Sequence, residues 1–259
     1  MSHELETAIV AARAAGDLLR GQLGAAHQVH HKGPTDLVTE MDRRAEDLIA
    51  SILRKAFPAY GLVGEEGGEQ HAPGGARWLV DPLDGTTNYA RGYPFFAVSI
   101  ALERDGEIVI GVVYNPMLDE LFTAERGGGA TLNGRPIHVS ATANLGASLL
   151  VSGFPYDAWT NDADNGHAWH RFLKRVLSLR CDGVAALDLC HVAMGRIDGY
   201  WELALGPWDM AAGSLIVQEA GGTVTQMSGD RFSPYGRSVL ASNGHLHAEM
   251  LAVLADSST

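Results

Sequence analysis

Asp81 and Asp84 stand three positions apart at the end of an apolar run, in Trp78-Leu79-Val80-Asp81-Pro82-Leu83-Asp84-Gly85-Thr86-Thr87. Both carboxylates can reach one small volume beyond the strand end, where a hard divalent cation would accept their oxygens and neutralise their mutual repulsion. Without a cation the pairing is costly. Gly85 lets backbone approach a ligand closely, while Thr86 and Thr87 supply hydroxyls and open a short helix whose amides favour an anion. A cation site thus adjoins an anion site, the pairing that metal-assisted phosphate chemistry requires.

Four further clusters stand beside this turn. Asp36-Leu37-Val38-Thr39-Glu40-Met41-Asp42 puts an acid at a helix start, where Asp is also an ordinary N-cap. Gly64-Glu65-Glu66-Gly67 sets adjacent carboxylates in a turn after a strand, a pattern that a solvated acidic loop explains on its own. Tyr200-Trp201-Glu202-Leu203-Ala204-Leu205-Gly206-Pro207-Trp208-Asp209 ends a strand with one acid and opens a helix with another, where Asp209 would also complement the helix dipole. Gly183-Val184-Ala185-Ala186 reads as a tight turn into an apolar helix, or as main chain that meets a ligand. Each plain reading is adequate singly. Together they require such turns to recur by chance at strand ends and helix starts along the whole chain.

The elements that must carry these residues follow from periodicity. Residues 3–23 present Leu5, Ile9, Ala12, Leu18, Leu19 and Leu23 at helical spacing. A polar loop with His27, His30, His31, Lys32, Gly33 and Pro34 follows, and a second helix runs from near Asp42 to before Pro58 on Ala45, Leu48, Ile49, Ile52 and Leu53. Strand-like runs occupy 60–63, 77–81, 95–104, 107–115 and 119–123, with Asp105-Gly106 as a tight hairpin turn. Beyond residue 140 strands and helices alternate: a strand at Leu149–Val151, helices near 165–177 and 184–195, a strand at 199–203, a helix near 207–220 and a strand–helix unit in 238–256. This predicts a mixed or parallel α/β sheet. The chain accordingly divides into an N-terminal α+β domain, 1–140, with two long helices on an antiparallel sheet, and a C-terminal α/β domain, 141–259, joined by the small-residue connector Ala141–Gly146.

Composition narrows the function classes. With 259 residues, 46% of them hydrophobic, the chain can bury a large core. A net charge of −12 argues against backbone-driven nucleic-acid binding and against an anionic membrane surface. Cys181 and Cys190, without any CxxC pairing, read as reduced core residues. No secretory signal and no apolar run of membrane-spanning length is visible, so cytoplasm is the expected compartment.

The ordered succession Asp-x5-Asp, Gly-Glu-Glu, Trp-x-x-Asp-Pro-x-Asp-Gly-Thr-Thr-Asn and Trp-Asp-x-Ala-Ala-Gly resembles the inositol monophosphatase family of metal-dependent, lithium-sensitive sugar phosphatases, over residues 3 to 256. The resemblance implies a five-layer αβαβα sandwich of the inositol monophosphatase/fructose-1,6-bisphosphatase type, α+β or α/β in class. It assigns Glu65, Asp81, the Leu83 carbonyl, Asp84 and Asp209 to magnesium. Asp81 would bridge two ions, one also held by Glu65 and Leu83 and the other by Asp84 and Asp209, with a third, weaker ion near Glu65. Mn²⁺ is an expected substitute and Li⁺ an expected inhibitor. Asp42 and Thr86 match the pair that orients and helps deprotonate a metal-bound water for in-line attack on phosphorus. Gly85 and Thr86 would hold the phosphate through their amides, Gly183 and Ala185 would touch the polyol through main chain, and Glu202 would accept its hydroxyls. Glu66 would stand behind Glu65 rather than on a metal.

Departures from the animal pattern bear on specificity. Val184 occupies a turn position where Ser or Thr is common, and Gly206 one where some relatives carry His, so two polar contacts are missing. Phe154, Pro155, Tyr156, Asp157 and Trp159 fall in a divergent stretch expected to shape the pocket rim. Lys32 matches a basic position at the mouth. The His27/His30/His31 group lacks the spacing that would orient two imidazoles on one metal. The expected function is a Mg²⁺-dependent phosphomonoesterase acting on a small polyol or sugar phosphate, with myo-inositol 1-phosphate leading. Histidinol phosphate, fructose 1,6-bisphosphate or a nucleotide 3′-phosphate are the substrates of the alternative reading, and a regulatory protein-binding role alongside catalysis is a further one. The resemblance also implies a homodimer.

Overall fold

The computed structural model describes residues 1–25, 29–31, 37–70 and 75–256. Helix α1 (His3–Gln22) starts at Ser2, whose hydroxyl accepts from the Leu5 N–H, and buries a stripe from Leu5 through Ala8, Ala12 and Ala15 to Leu19. A short antiparallel ribbon, β1 (Val29–His31) and β2 (Leu37–Thr39), intervenes where the sequence pattern indicates only a polar loop. It leads into α2 (Glu40–Ala56), whose N-cap is Thr39. Asp42 is therefore not a cap itself. It lies at the third helical position and closes a capping box on Thr39. His27, Lys32 and Asp36 lie outside the described residues.

Next come β3 (Gly61–Gly64), β4 (Gly68–Gln70), β5 (Ala76–Asp84), the short helix α3 (Thr86–Ala90), β6 (Ala97–Arg104), β7 (Glu107–Asn115), β8 (Glu120–Glu125), β9 (Ala130–Leu132) and β10 (Arg135–Pro136). They form one eight-stranded sheet in the order β10-β9-β8-β7-β6-β5-β3-β4. The expected antiparallel sheet contains one parallel pair, β3 with β5. Asp105 and Gly106 both have positive φ, 53° and 82°, as a primed two-residue hairpin turn between β6 and β7 requires.

The remaining elements are β11 (Leu149–Ser152), α4 (Gly166–Leu173), β12 (Ser178–Arg180), α5 (Ala185–Ala193), β13 (Gly199–Leu203), α6 (Pro207–Glu219), β14 (Thr223–Thr225), β15 (Ser238–Ser242) and α7 (His247–Ala255). A second sheet runs β12-β11-β13-β15-β14, parallel across β12, β11 and β13 and antiparallel at β15 and β14. Helix α4 ends four residues earlier than its periodicity suggests, because Ser178–Arg180 pairs with β11 instead. The very short strands β4, β9, β10, β12 and β14 carry too few residues to show a period, and only pairing defines them.

Strand β5 is apolar on both sides because both sides are covered. Trp78 and Val80 pack with α1 and α2, whereas Leu79 faces the core shared with α5 and α6. Those two helices are buried nearly all round, as helices between two sheets must be. Tyr200 and Ala241 of the second sheet close this central core, and Trp201 and Leu240 face α4 and α7. The layers are thus α1/α2, sheet, α5/α6, sheet, α4/α7, the five-layer sandwich expected. Cys190 is buried in α5, but Cys181 is exposed, contrary to expectation, because it follows the edge strand β12. Among the described residues no helix is long and apolar enough to cross a membrane.

Candidate active site

In a regular strand, side chains three apart point to opposite faces. Asp81 and Asp84 escape this rule because the β5–β6 register shifts between them, across Pro82 and Leu83. Asp81 folds back so that its Oδ1 accepts the Leu83 N–H at 2.9 Å. Gly85, at φ 93°, then turns the chain into α3. A Cβ there would meet Val184 Cγ2 at 2.9 Å, so the turn and the Gly183–Ala186 segment are in direct contact. Val184 is buried, packing against Gly85 as part of the central core.

Asp84 Oδ2 accepts the Ala186 N–H at 2.7 Å, tying the first sheet's site strand to the start of α5. Asn88 ties the same two segments again: its Nδ2 donates to the carbonyls of Asp182 at 3.0 Å and Phe95 at 2.9 Å. Asp209 enters from α6, with its Oδ2 accepting the Gly206 N–H at 2.7 Å. Ser99 of β6 donates to the Trp208 carbonyl at 3.0 Å and holds that helix start against the sheet. Gly206 is explained locally, since a Cβ would strike the Trp208 ring. Glu65 follows β3 and its N–H donates to the Val80 carbonyl at 3.3 Å, one residue before Asp81.

The carboxylates lie in one another's field. Burial pushes Asp81 well above the usual carboxylate range, and the charges of Glu65, Asp84 and Asp209 push it further. Asp84 is displaced the same way, by burial first and then by Asp209, Glu202 and Glu65. Asp81, Asp84 and Asp209 each turn one oxygen to a main-chain N–H, a donor that favours the charged form. Among the described residues no three of these side chains are drawn together tightly enough to close on a single ion. The donor set is carboxylate and carbonyl oxygen only, which suits a hard divalent cation rather than a soft one.

Beside this group, Asp42 is fully buried and its two oxygens have separate partners. Oδ2 accepts from the Thr39 N–H at 2.8 Å and the Thr39 hydroxyl at 2.6 Å, while Oδ1 accepts from the Thr86 hydroxyl at 2.8 Å. Thr86 Oγ1 also lies 3.0 Å from the Leu83 carbonyl. Burial raises the Asp42 pKa despite these donors.

Glu202 extends from β13 with its Oε2 accepting from the Tyr200 hydroxyl at 2.7 Å, and Gly153 leaves the space its carboxylate fills. Burial, and then the charge of Asp209, pushes it up to about 8. Gly183 is exposed and Ala185 is buried at the head of α5. Glu66 directs its N–H to Glu46 at 3.0 Å, and its charge acts on Asp42. Phe154, Tyr156 and Trp159 are exposed on the loop that follows Gly153.

Four residues here escape the sequence pattern. Thr39, Glu46 and Asn88 act through hydrogen bonds made only in the fold, although the position of Asn88 inside the Asp-Gly-Thr-Thr-Asn run was a signal. The fourth, Asp188 on α5, is buried with its Oδ1 lacking a hydrogen bond, and burial and the charges of Asp182, Glu202 and Asp84 raise its pKa strongly.

The chain is similar to known proteins along nearly its whole length. Inositol monophosphatase 2 of Solanum lycopersicum is 43% identical over 99% of this chain and 100% of its own. Nus factor SuhB of Escherichia coli is 40% identical over 97% of this chain and 96% of its own. The crystal structure of extragenic suppressor protein suhB from Bartonella henselae superimposes with a TM-score of 0.93 at 42% identity, covering 99% of this chain and 100% of that one. The model of the inositol monophosphatase family matches residues 1–259. With that match over its whole length, a five-layer fold and acids brought to one strand end, the chain belongs to the inositol monophosphatase family, whose members are metal-dependent phosphoric monoester hydrolases.

Proposed function

We propose that this chain is a Mg²⁺-dependent phosphomonoesterase hydrolysing a small polyol or sugar phosphate, with myo-inositol 1-phosphate as lead substrate. The observation that carries the reading is the mutual field of Glu65, Asp81, Asp84 and Asp209 beside the Asp42–Thr86 hydrogen bond. Glu65, Asp81 and the Leu83 carbonyl would hold one ion, and Asp81, Asp84 and Asp209 a second, with a third, weaker one near Glu65. Mn²⁺ would substitute, and Li⁺ would inhibit by taking the more weakly held place. When bound, the cations neutralise phosphate charge and acidify water.

The chain's own residues do the orienting. Thr39 saturates Asp42 Oδ2, so Oδ1 is the oxygen that receives the Thr86 hydroxyl proton. With its proton so directed, Thr86 Oγ1 presents a lone pair to the attacking water and fixes its line toward phosphorus. The Gly85 and Thr86 amides hold the phosphate. The Gly183 and Ala185 main chain and Glu202 receive the polyol, and Glu66 supports the turn that carries Glu65. The same reading makes the enzyme a cytoplasmic homodimer without nucleic-acid or membrane partners.

Phosphate release from myo-inositol 1-phosphate, histidinol phosphate, fructose 1,6-bisphosphate and a nucleotide 3′-phosphate, each with Mg²⁺ or EDTA, tests the proposal. Mg²⁺-dependent release fastest from the inositol ester is expected, and a faster second ester would transfer the assignment to that substrate. No release from any would sink it. A regulatory role alongside catalysis is favoured by one observation, the 40% identity to a protein named as a Nus factor. Asp84→Asn separates the two roles, since it should abolish hydrolysis and leave protein binding intact.

A further inference from the structure

Glu46 is a carboxylate on α2 that is 7% exposed, and among the described residues no cation bonds to it. Its partners are main-chain amides. The Glu66 N–H donates to Oε2 at 3.0 Å, and the Gly67 N–H donates to the same carboxylate. Gly64 and Gly67, at the two ends of the Gly-Glu-Glu-Gly turn, have no space for a Cβ because the Glu46 carboxylate fills it. The turn therefore wraps the carboxylate as a concave run of amides wraps an anion, except that the anion belongs to the protein. Between those glycines stands Glu65.

Helical geometry explains why this residue is placed to serve. Asp42 and Glu46 are four apart on α2 and so share one face. The first fixes Thr86 and the second fixes the turn of Glu65, so one rigid helix sets the distance between the two parts of the site. Burial raises the Glu46 pKa, and the amides of Glu66 and Gly67 oppose that rise.

We infer that Glu46 is a positioning residue that holds the Gly64–Gly67 turn and thereby directs the Glu65 carboxylate onto the cation it shares with Asp81. The inference rests on the proposed role of Glu65 as a ligand. A neutral amide at this position keeps the shape but presents an N–H₂ group to one of the two turn amides, which breaks half of the grip.

The test is Mn²⁺ binding, followed by electron paramagnetic resonance, to the wild type and to Glu46→Gln and Glu65→Gln. Glu46→Gln should weaken one binding step by about tenfold or more and leave the step at Asp84 and Asp209 within about twofold, with hydrolysis at saturating cation falling far less than affinity. Exchange of the Glu66 and Gly67 amides with deuterium should accelerate in Glu46→Gln without any cation present. If Glu65→Gln weakens a step and Glu46→Gln does not, the positioning role is wrong while the ligand role stands. If Glu65→Gln changes nothing, both fall. Should Glu46→Gln fail to fold, Glu46→Asp, whose shorter arm withdraws the carboxylate from the turn, is read by the same two measurements.

Discussion

Thr86 Oγ1 donates to Asp42 Oδ1 at 2.8 Å, joining residues 44 positions apart across the face where α2 meets the end of β5. The bond leaves Asp42 with one oxygen for Thr39 and one for Thr86, and every proposed proton movement passes through it. Thr86→Ala should lower kcat about 10²–10⁴-fold, the usual span for a lost acid–base contact, with cation affinity nearly unchanged. Steady-state hydrolysis at saturating Mg²⁺ checks this, and equal loss of cation affinity would contradict the assigned role.

Thr39→Ala removes both the α2 cap and one donor to Asp42. A loss of about 1 kcal/mol in stability is expected from the cap. Oδ2 keeps the main-chain N–H of residue 39 and loses only the hydroxyl, so Asp42 should be held less firmly, giving a kcat between those of wild type and Thr86→Ala. Urea unfolding and hydrolysis, measured on one preparation, read the two effects separately.

Asp84 is buried among like charges, so neutralising it should relieve repulsion while removing a ligand of the proposed cation. Asp84→Asn keeps an oxygen for the Ala186 N–H. In EDTA its melting temperature should rise above the wild type, and its hydrolysis should be lost. A variant that melts lower than the wild type in EDTA would show that the charge is not a burden on the fold.

Stability should fall with pH in the cation-free protein. Glu202 titrates at an ordinary 4.5 when unfolded and at about 8 in the fold, so the folded state holds its proton more tightly. That contribution is full below 4.5 and is lost as pH rises to about 8. Asp81, Asp84 and Asp188 are raised for the same cause, burial, and act with the same sign. His191 is lowered from 6.5 to about 4 by burial and Arg196, so it affects stability only below 6.5. Calorimetry at pH 6.5 and pH 8 in EDTA should give the lower melting temperature at pH 8, and Mg²⁺ should narrow the gap. A flat or rising profile would refute this.

Gly85 has φ 93°, and a Cβ there would press on Val184 Cγ2 at 2.9 Å. Gly85→Ala should destabilise by about 1–2 kcal/mol from the left-handed backbone alone, more with the clash. It should also lower kcat, because Thr86 is the next residue. Chemical denaturation and hydrolysis together check both.

The order of acidic and glycine-bearing turns was enough to place the chain in its family, and hydrophobic periodicity located both N-terminal helices, the long strands and the buried helices α5 and α6. These signals are local. The Asp81–Asp84 spacing stands in contiguous residues, and its meaning needs only the chemistry of two close carboxylates. Tertiary structure alone decided that Asp42 serves as the third residue of a helix rather than its cap, that Cys181 faces solvent, and that the short strands β4, β9, β10, β12 and β14 exist at all. It alone revealed the roles of Thr39, Glu46 and Asp188 and the partners of Asn88. Those depend on a hydroxyl, an amide or a neighbouring charge arriving from another segment, and no period or spacing within one segment encodes which group will arrive.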